Sequence, residues 1–239
     1  MSNFTLFKRG FRNGIPIFLG YLAVSFTFGI AARDAGLTSL QTILISATNL
    51  TSAGQFAALG IIAAQASYIE MALTQLVINL RYCLMSSSLS QRFDEKMKPH
   101  HRFLIAFGVT DEIFGVSSAY LQENVPPAYC YGLIAASWPG WVLGTALGCL
   151  SGSVLPSGVL SALGVALYGM FIAIIVPPAK NNKVLLGIVA ISMLSSLVFA
   201  ITPILKEISS GFRVIILTLA IASVAAYFFP VEEEGNYER

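Results

Sequence analysis

Residues 124–179 read NVPPAYCYGLIAASWPGWVLGTALGCLSGSVLPSGVLSALGVALYGMFIAIIVPPA, a run without Asp, Glu, Lys or Arg. A helix crosses the hydrocarbon core of a bilayer with roughly 20 mostly apolar residues, so this run holds two crossings. Hydrocarbon offers the backbone no hydrogen-bond partner, and the run is far too long for the strands of a membrane barrel. It therefore predicts transmembrane helices.

The same pattern continues on both sides of this run. Charged residues are also absent from 13–32, 35–69 and 184–205. Of the 239 residues, 56% are hydrophobic and 11% are charged, whereas an ordinary soluble domain carries about 25% charged residues. This composition excludes a soluble globular protein, and the net charge of +2 does not indicate a nucleic-acid partner.

The apolar segments predict an all-α fold, a polytopic bundle of about 7–8 transmembrane helices. Short connections place them in one domain, residues 1–230, followed by an acidic, solvated and disordered tail, residues 231–239. The candidate segments are 13–32, 39–64, 71–90, 103–122, 128–150, 159–178, 184–204 and 214–230.

Basic residues indicate the orientation. They gather before the first segment and between the third and fourth, at Lys8, Arg9, Arg12, Arg92, Lys96, Lys98 and Arg102. We expect the protein to lie in the cell (inner) membrane. The positive-inside rule then places both groups, and the N-terminus, on the cytoplasmic side. An even number of crossings must then separate the groups, although three candidate segments lie between them. We therefore predict that the second segment is broken or re-entrant, which leaves seven crossings and places the tail outside.

The polar centre of the second segment is the first candidate site. Residues 46–55 read SATNLTSAGQ inside an otherwise apolar run. Such a segment favours unwound backbone, and the free N–H groups at the start of a half-helix bind carboxylates. We predict substrate contacts at Asn49, Ser52, Gly54 and Gln55. Packing of helix against helix through hydrogen bonds is the alternative.

Charged groups in the third and fourth segments form the second candidate site. Arg81 lies near the middle of one, beside Asn79, and Asp111 and Glu112 lie near the middle of the other. Charges inside a membrane are costly and are therefore paired or functional. We predict that Arg81 pairs with one carboxylate, that the other carries a coupling proton, and that Asn79 binds substrate. A purely structural ion cluster is the alternative.

Glycines spaced by four residues predict a close helix contact. They are Gly140, Gly144, Gly148 and Gly152. Four-residue spacing places them on one helix face, where a second helix can approach closely. That second helix belongs either to this chain or to a partner. The nearby Trp138 and Trp141 are expected at the membrane interface.

Other classes of function are poorly supported. The sequence contains no H-E-x-x-H motif, no G-x-G-D motif and no Walker loop. We predict no catalytic residues, no metal site and no cofactor. The remaining alternatives are a passive channel or pore and, less well supported, an intramembrane enzyme.

Several motifs occur in the order typical of one family. SAGQF at 52–56, NLRY at 79–82 and TDEIF at 110–114 resemble the motifs of the AzlC-like large subunits of branched-chain amino acid exporters. GIPIFLGY at 14–21 and FGIA at 28–31 resemble the first helix of that family. The chain departs from the family pattern at Tyr82, where His is common, and at Gly164 and Tyr168, where an acidic residue and a proline are common.

This resemblance implies a secondary exporter of Leu, Ile, Val or related neutral amino acids. It also implies a partner, a much smaller membrane subunit of the AzlD type. The residues themselves predict only a multi-spanning protein with a polar, ionisable centre, so the substrate class depends on the resemblance. Proton coupling is expected for such a carrier.

Overall fold

The computed structural model describes residues 2–120, 124–151, 158, 176, 179–180 and 182–230. The described residues form helices and no strands, which confirms the all-α prediction. The helices are α1 Asn3–Asp34, α2 Ser39–Thr48, α3 Ala53–Ala63, α4 Tyr68–Gln91, α5 Pro99–Phe107, α6 Asp111–Ser118, α7 Pro127–Ser151, α8 Lys183–Ile201 and α9 Ser210–Phe228, with a 3-10 turn at Leu205–Glu207.

Four of these helices are long and apolar enough to cross a membrane. They are Asn3–Asp34, Pro127–Ser151, Lys183–Ile201 and Gly211–Phe228. Most of the predicted segment 159–178 and the whole tail, 231–239, lie outside the described residues. The number of crossings therefore stays a prediction.

Helices α1 and α7 form the longest contact and run parallel. The backbone of Phe7 lies against Gly132, the backbone of Phe18 against Gly140, and the backbone of Phe26 against Gly148. The contacts advance in the same direction along both helices. A Cβ at Gly148 would clash with the Phe26 carbonyl group. The absence of side chains thus allows the two backbones to approach closely.

The glycine face of α7 therefore lies against the first helix of the same chain. Gly144, between the two contacts above, lies against Leu22 and Ser25. Gly152 lies outside the described residues. The α1 side contributes glycines of its own, because Gly29 lies against the backbone of Thr145.

One end of the bundle, here called the basic end, collects the N-termini of α1 and α7 and the C-termini of α4 and α6. The Arg9 guanidinium lies 5.4 Å from the ring centre of Tyr120. Arg92 donates hydrogen bonds to the carbonyl oxygens of Ser118 and Tyr120, at 3.1 and 2.8 Å, and its own carbonyl accepts from Val125 N at 2.8 Å. Both groups of basic residues identified in the sequence thus lie at the same end of the molecule.

The opposite end, here called the far end, contains the C-terminus of α1 and both termini of the second predicted segment. This segment is not one helix. It is interrupted between α2 and α3, and both pieces lie beside the C-terminal half of α1. Ser46 of α2 shares a 2.8 Å hydrogen bond with Thr145, and Leu59 of α3 packs with Phe28 and Ala32.

The fourth predicted segment, 103–122, is also interrupted, so its prediction as one continuous helix was wrong. Gly108 ends α5, and the side chain of Ile134 occupies the space where its Cβ would lie. Thr110 then caps α6 through a 3.3 Å hydrogen bond from Ile113 N to its hydroxyl oxygen. At the basic end His101 Nδ1 lies 2.6 Å from Tyr131 Oη. Helix α5 therefore begins at the basic end, and α6 returns to it.

Candidate functional site

The interruption between α2 and α3 is a short extended turn. Asn49 has extended backbone, with φ −147° and ψ 129°, and Ser52 has a left-handed φ of 38°. The Asn49 side-chain oxygen accepts a 2.8 Å hydrogen bond from Thr51 N. Gly54 lies just after this turn, and the side chains of Thr51 and Gln75 leave no room for a Cβ at its position. No side-chain hydrogen bond caps the start of α3.

Gln55 holds this turn in place. Its side chain is buried, and its Oε1 accepts a 2.8 Å hydrogen bond from Trp141 Nε1. Its Nε2 donates to the carbonyl oxygens of Asn49 and Ile45, at 3.0 and 3.3 Å. Both ends of the amide are thus occupied within the chain, and they satisfy carbonyl groups that the break in the helix leaves free.

Helix α4 contacts the same turn through two amides. Gln75 Nε2 donates to the Gly54 carbonyl at 2.8 Å, and Asn79 Nδ2 donates to Gln75 Oε1 at 3.1 Å. Asn79 Oδ1 and Thr51 Oγ1 are buried and have no hydrogen-bond partner among the described residues. Buried polar atoms are nearly always paired, so these two oxygens mark a place that a ligand or water could fill.

The start of α6 lies beside the centre of α1. Tyr21 Oη shares a 2.5 Å hydrogen bond with Thr110 Oγ1 and donates to Glu112 Oε2 at 2.8 Å. The Tyr21 ring meets that of Trp141 edge to face, with ring centres 5.4 Å apart. Tyr21 and Trp141 therefore connect the two interruptions at mid-height in the bundle.

Arg81 and Asp111 form an ion pair. Arg81 Nη1 lies 2.7 Å from Asp111 Oδ2, and their side chains are 41% and 34% exposed in the isolated chain. The guanidinium also lies 5.0 Å from the ring centre of Tyr82. Asp111 and Glu112 occupy the first turn of α6, where the helix dipole stabilises negative charge. The pair thus joins the middle of α4 to the second interruption.

The predicted residues fall into two adjoining groups. Asn79 joins the residues of the first interruption, whereas Arg81 joins Asp111, and no described hydrogen bond connects the groups directly. Glu112 bonds Tyr21 and not Arg81. Among the described residues, no group of three or more His, Cys, Asp or Glu side chains could hold a metal ion.

The profile of the family described as AzlC protein matches residues 16–155, which include both interruptions and the ion pair. The chain belongs to the AzlC protein family. It is similar to the inner membrane protein YgaZ of Escherichia coli K12, with 31% identity over 74% of this chain and 75% of the relative. An uncharacterized membrane protein of Archaeoglobus fulgidus is 32% identical over 77% of this chain and 81% of the relative.

A more distant AzlC relative carries a functional name. The branched-chain amino acid transport protein AzlC of Bacillus subtilis is 23% identical over 74% of this chain and 69% of the relative. No solved structure matches the chain significantly. The names of the first two relatives describe membrane proteins, and the name of the Bacillus subtilis relative describes a transport protein.

Two residues of this candidate site, Tyr21 and Trp141, were not predicted from the sequence. The sequence indicated Tyr21 only as the last residue of the GIPIFLGY motif. The prediction that Trp141 lies at a membrane interface was wrong, because the Trp141 side chain is 2% exposed. A buried Trp or Tyr needs a partner for its polar atom. Tyr21 and Trp141 lie inside apolar segments, so the signal available in the sequence was that their polar atoms require partners, which the polar interruptions nearby could supply.

Proposed function

We propose that this chain is the large subunit of a secondary carrier that exports branched-chain or related neutral amino acids across the cell membrane. One observation carries the proposal. Two helix interruptions and an Arg81–Asp111 ion pair meet in the centre of an apolar bundle. Broken helices around a central polar site are typical of secondary transporters. The name of the Bacillus subtilis relative supports the substrate class.

In the proposed topology both interrupted segments are re-entrant. Helices α2 and α3 enter from the far end and return to it, and α5 and α6 do the same from the basic end. The positive-inside rule then places the basic end in the cytoplasm. Non-helical backbone at membrane depth is tolerated where it is buried in protein or lines a cavity, which suits both turns.

A zwitterionic substrate requires one group of each sign in its site. We propose that its ammonium group binds at Asp111, and that its carboxylate binds at the uncapped start of α3, near Asn49 and Ser52. Arg81 balances the charge of the acidic residues between transport steps. Asn79 Oδ1 is a free acceptor for a polar group of the substrate. Gln55 positions the turn, because both ends of its amide are occupied.

Export against a gradient requires a driving ion, and we propose a proton. The AzlD-type small subunit implied by the sequence motifs completes the transporter, and no cofactor takes part. Asp111 and Glu112 are the carboxylates proposed from the sequence to carry the proton. If Glu112 does, Glu112→Gln should lose gradient-driven efflux and keep substrate exchange, whereas Asp111→Asn, which removes the proposed ammonium ligand, should lose both.

Counterflow in liposomes tests the carrier. The chain is reconstituted with its small subunit, the vesicles are loaded with unlabelled leucine, isoleucine or valine, and labelled amino acid is added outside. A carrier takes up label transiently above its equilibrium level and saturates. A pore shows neither behaviour and would refute the proposal, as would an absence of any flux for all three amino acids.

A further inference from the structure

Glu70 is a buried carboxylate that the site described above does not use. It lies in the first turn of α4, near the far end, and is 4% exposed. Its Oε1 accepts hydrogen bonds from the Ser209 hydroxyl and from Gly211 N, the latter at 3.2 Å. Within the described residues, all hydrogen bonds to this carboxylate fall on Oε1. They come from the N-terminus of α9.

In the part of the chain that the structure describes, no cation lies within ion-pair distance of this carboxylate. Arg213, the charged residue of α9 that follows Gly211, donates to the Ile208 carbonyl at 3.3 Å and forms no ion pair with Glu70. Lys206 and Glu207 are exposed, and α3 contains no charged residue. A charge buried without a counter-charge is costly, because neither water nor an opposite charge solvates it. A helix dipole offsets only part of that cost.

A second oxygen points to a ligand at the same place. Thr74, one turn further along α4, is fully buried, and its Oγ1 has no hydrogen-bond partner in the described part of the chain. A Cβ built on Gly211 would lie 2.6 Å from Glu70 Oε1 and 2.6 Å from Thr74 Oγ1. The carboxylate and the hydroxyl therefore both lie against Gly211, in a contact that leaves no room for a larger residue at that position.

We propose that Glu70, with Thr74, binds a second monovalent cation, a proton or a sodium ion, whose gradient drives transport together with the proton proposed for Asp111 or Glu112. This inference rests on the proposed carrier function. A proton binds to the carboxylate oxygen alone. A sodium ion is coordinated by oxygen atoms, which the Glu70 carboxylate and the Thr74 hydroxyl supply together. Cation binding neutralises the carboxylate and biases the contact between α4 and α9, so the two helices respond to the gradient.

The test is Glu70→Gln in liposomes. Glutamine keeps an oxygen that can accept from Ser209 and Gly211, so it preserves the cap on α9 and removes only the charge. We expect accumulation of labelled leucine, driven by an imposed pH or sodium gradient, to fall to the passive level, and counterflow to persist. Glu207→Gln, which neutralises an exposed carboxylate at the same end, is the matched control and should keep both activities.

Thr74→Val identifies the cation. If sodium is bound, this variant should lose sodium-driven accumulation, and sodium should no longer raise the melting temperature of the purified protein at constant ionic strength. If a proton is bound, proton-driven accumulation should survive in Thr74→Val and disappear in Glu70→Gln. Glu70→Gln that still accumulates leucine like the wild type would overturn the inference and leave Glu70 as a helix cap. Wild-type protein without counterflow would instead refute the carrier function.

Discussion

Arg81 is the residue on which the charge balance of the proposed site depends. It contributes the positive charge to a centre that contains Asp111 and Glu112, and its guanidinium contacts the Asp111 carboxylate directly. Charge-assisted hydrogen bonds are stronger than neutral ones, so this contact fixes the position of the second interruption relative to α4. Glu112 has a separate partner in Tyr21.

We expect Arg81→Gln to abolish transport. Glutamine leaves the Asp111 carboxylate without its counter-charge, at a cost of about 1–3 kcal/mol in a partly exposed position. Counterflow and the melting temperature in detergent measure the two effects. Arg33→Gln, which removes an exposed guanidinium that bonds only the Leu37 carbonyl among the described residues, should change neither. Normal counterflow in Arg81→Gln would contradict a role for the ion pair.

Tyr21→Phe tests the connection between the two interruptions. The variant keeps the ring against Trp141 and removes the hydroxyl that bonds Thr110 and Glu112. We expect it to lower the stability by about 1–3 kcal/mol, because a buried acceptor loses its donor, and to reduce counterflow. Tyr129→Phe, which removes a hydroxyl that accepts from Asn13 at 2.8 Å near the basic end, is the control and should keep counterflow. Equal counterflow in both variants would assign Tyr21 to packing alone.

At the scale of the helices, α1 and α7 form the rigid pair against which the interrupted segments pack. Both α2 and α5 contact α7: Trp138 Nε1 donates to the Ala47 carbonyl at 3.1 Å, and the Trp138 ring meets Phe107 edge to face. The interrupted segments make fewer backbone contacts with their neighbours than α1 and α7 make with each other. They are therefore the elements we expect to move during transport.

Gly144→Ala should destabilise the purified chain, even without the small subunit. The added methyl group would meet the Leu22 carbonyl and the Ser25 hydroxyl, and overpacking of this kind costs about 1–3 kcal/mol. Gly187→Ala places the same methyl group on α8, where no atom of the described residues lies within 4 Å, and alanine favours helix there. A lower melting temperature for Gly144→Ala alone is the expected result. Equal melting temperatures for Gly144→Ala and Gly187→Ala would mean that close packing at the glycine face does not contribute to stability.

Cysteine labelling tests both hairpins in a background without Cys83, Cys130 and Cys149. Single cysteines are placed at the ends of each interrupted segment, as Asp34→Cys, Tyr68→Cys, Lys96→Cys and Asn124→Cys. If both segments are re-entrant, the first two cysteines react from outside and the last two from the cytoplasm. Reaction of Asp34→Cys and Tyr68→Cys from opposite sides would mean that the second segment crosses. The pair Lys96→Cys and Asn124→Cys tests the fourth segment in the same way.

At the scale of the molecule, the long helices form two pairs, α1 with α7 and α4 with α9, and the two helices of each pair begin at the same end. Helices α1 and α7 both begin at the basic end. Helix α9 begins beside the N-terminus of α4, because Gly211 lies against Glu70 and Thr74. Each of α1 and α4 is followed by an interrupted segment, and the two segments belong to opposite ends. Paired units of opposite direction are also a feature of the inverted repeats that many transporters use for alternating access.

This arrangement predicts the side of the C-terminal helix end. The count of seven crossings placed the acidic tail outside, whereas an α9 that begins at the far end should finish at the basic end. We therefore expect Phe229→Cys to react from the same side as Arg12→Cys. Labelling from opposite sides would mean that α9 does not run from the far end to the basic end. The same proteoliposomes can be used for both positions.

The sequence by itself predicted that the chain lies in a lipid bilayer and that its segments are helices. Its uncharged runs are long enough to cross a bilayer, because the free energy of transfer into lipid depends on the composition of each run. The polar residues at 46–55 indicated the interruption in the second segment, because local backbone preference depends on neighbouring residues. The sequence also predicted that Arg81 pairs with Asp111 or Glu112, since few charges were available inside the membrane, and the structure shows that the partner is Asp111.

Only the tertiary structure decided how these elements meet. The fourth segment is interrupted after Gly108, where the side chain of Ile134 leaves no room for a Cβ. Gln55 is occupied by Trp141, 86 residues further along the chain, and Glu70 is buried by α9. Each of these results depends on contacts between residues far apart in the chain. Local composition does not encode such contacts, because a short polar stretch is compatible with a crossing, a hairpin or a helix contact until its neighbours are in place.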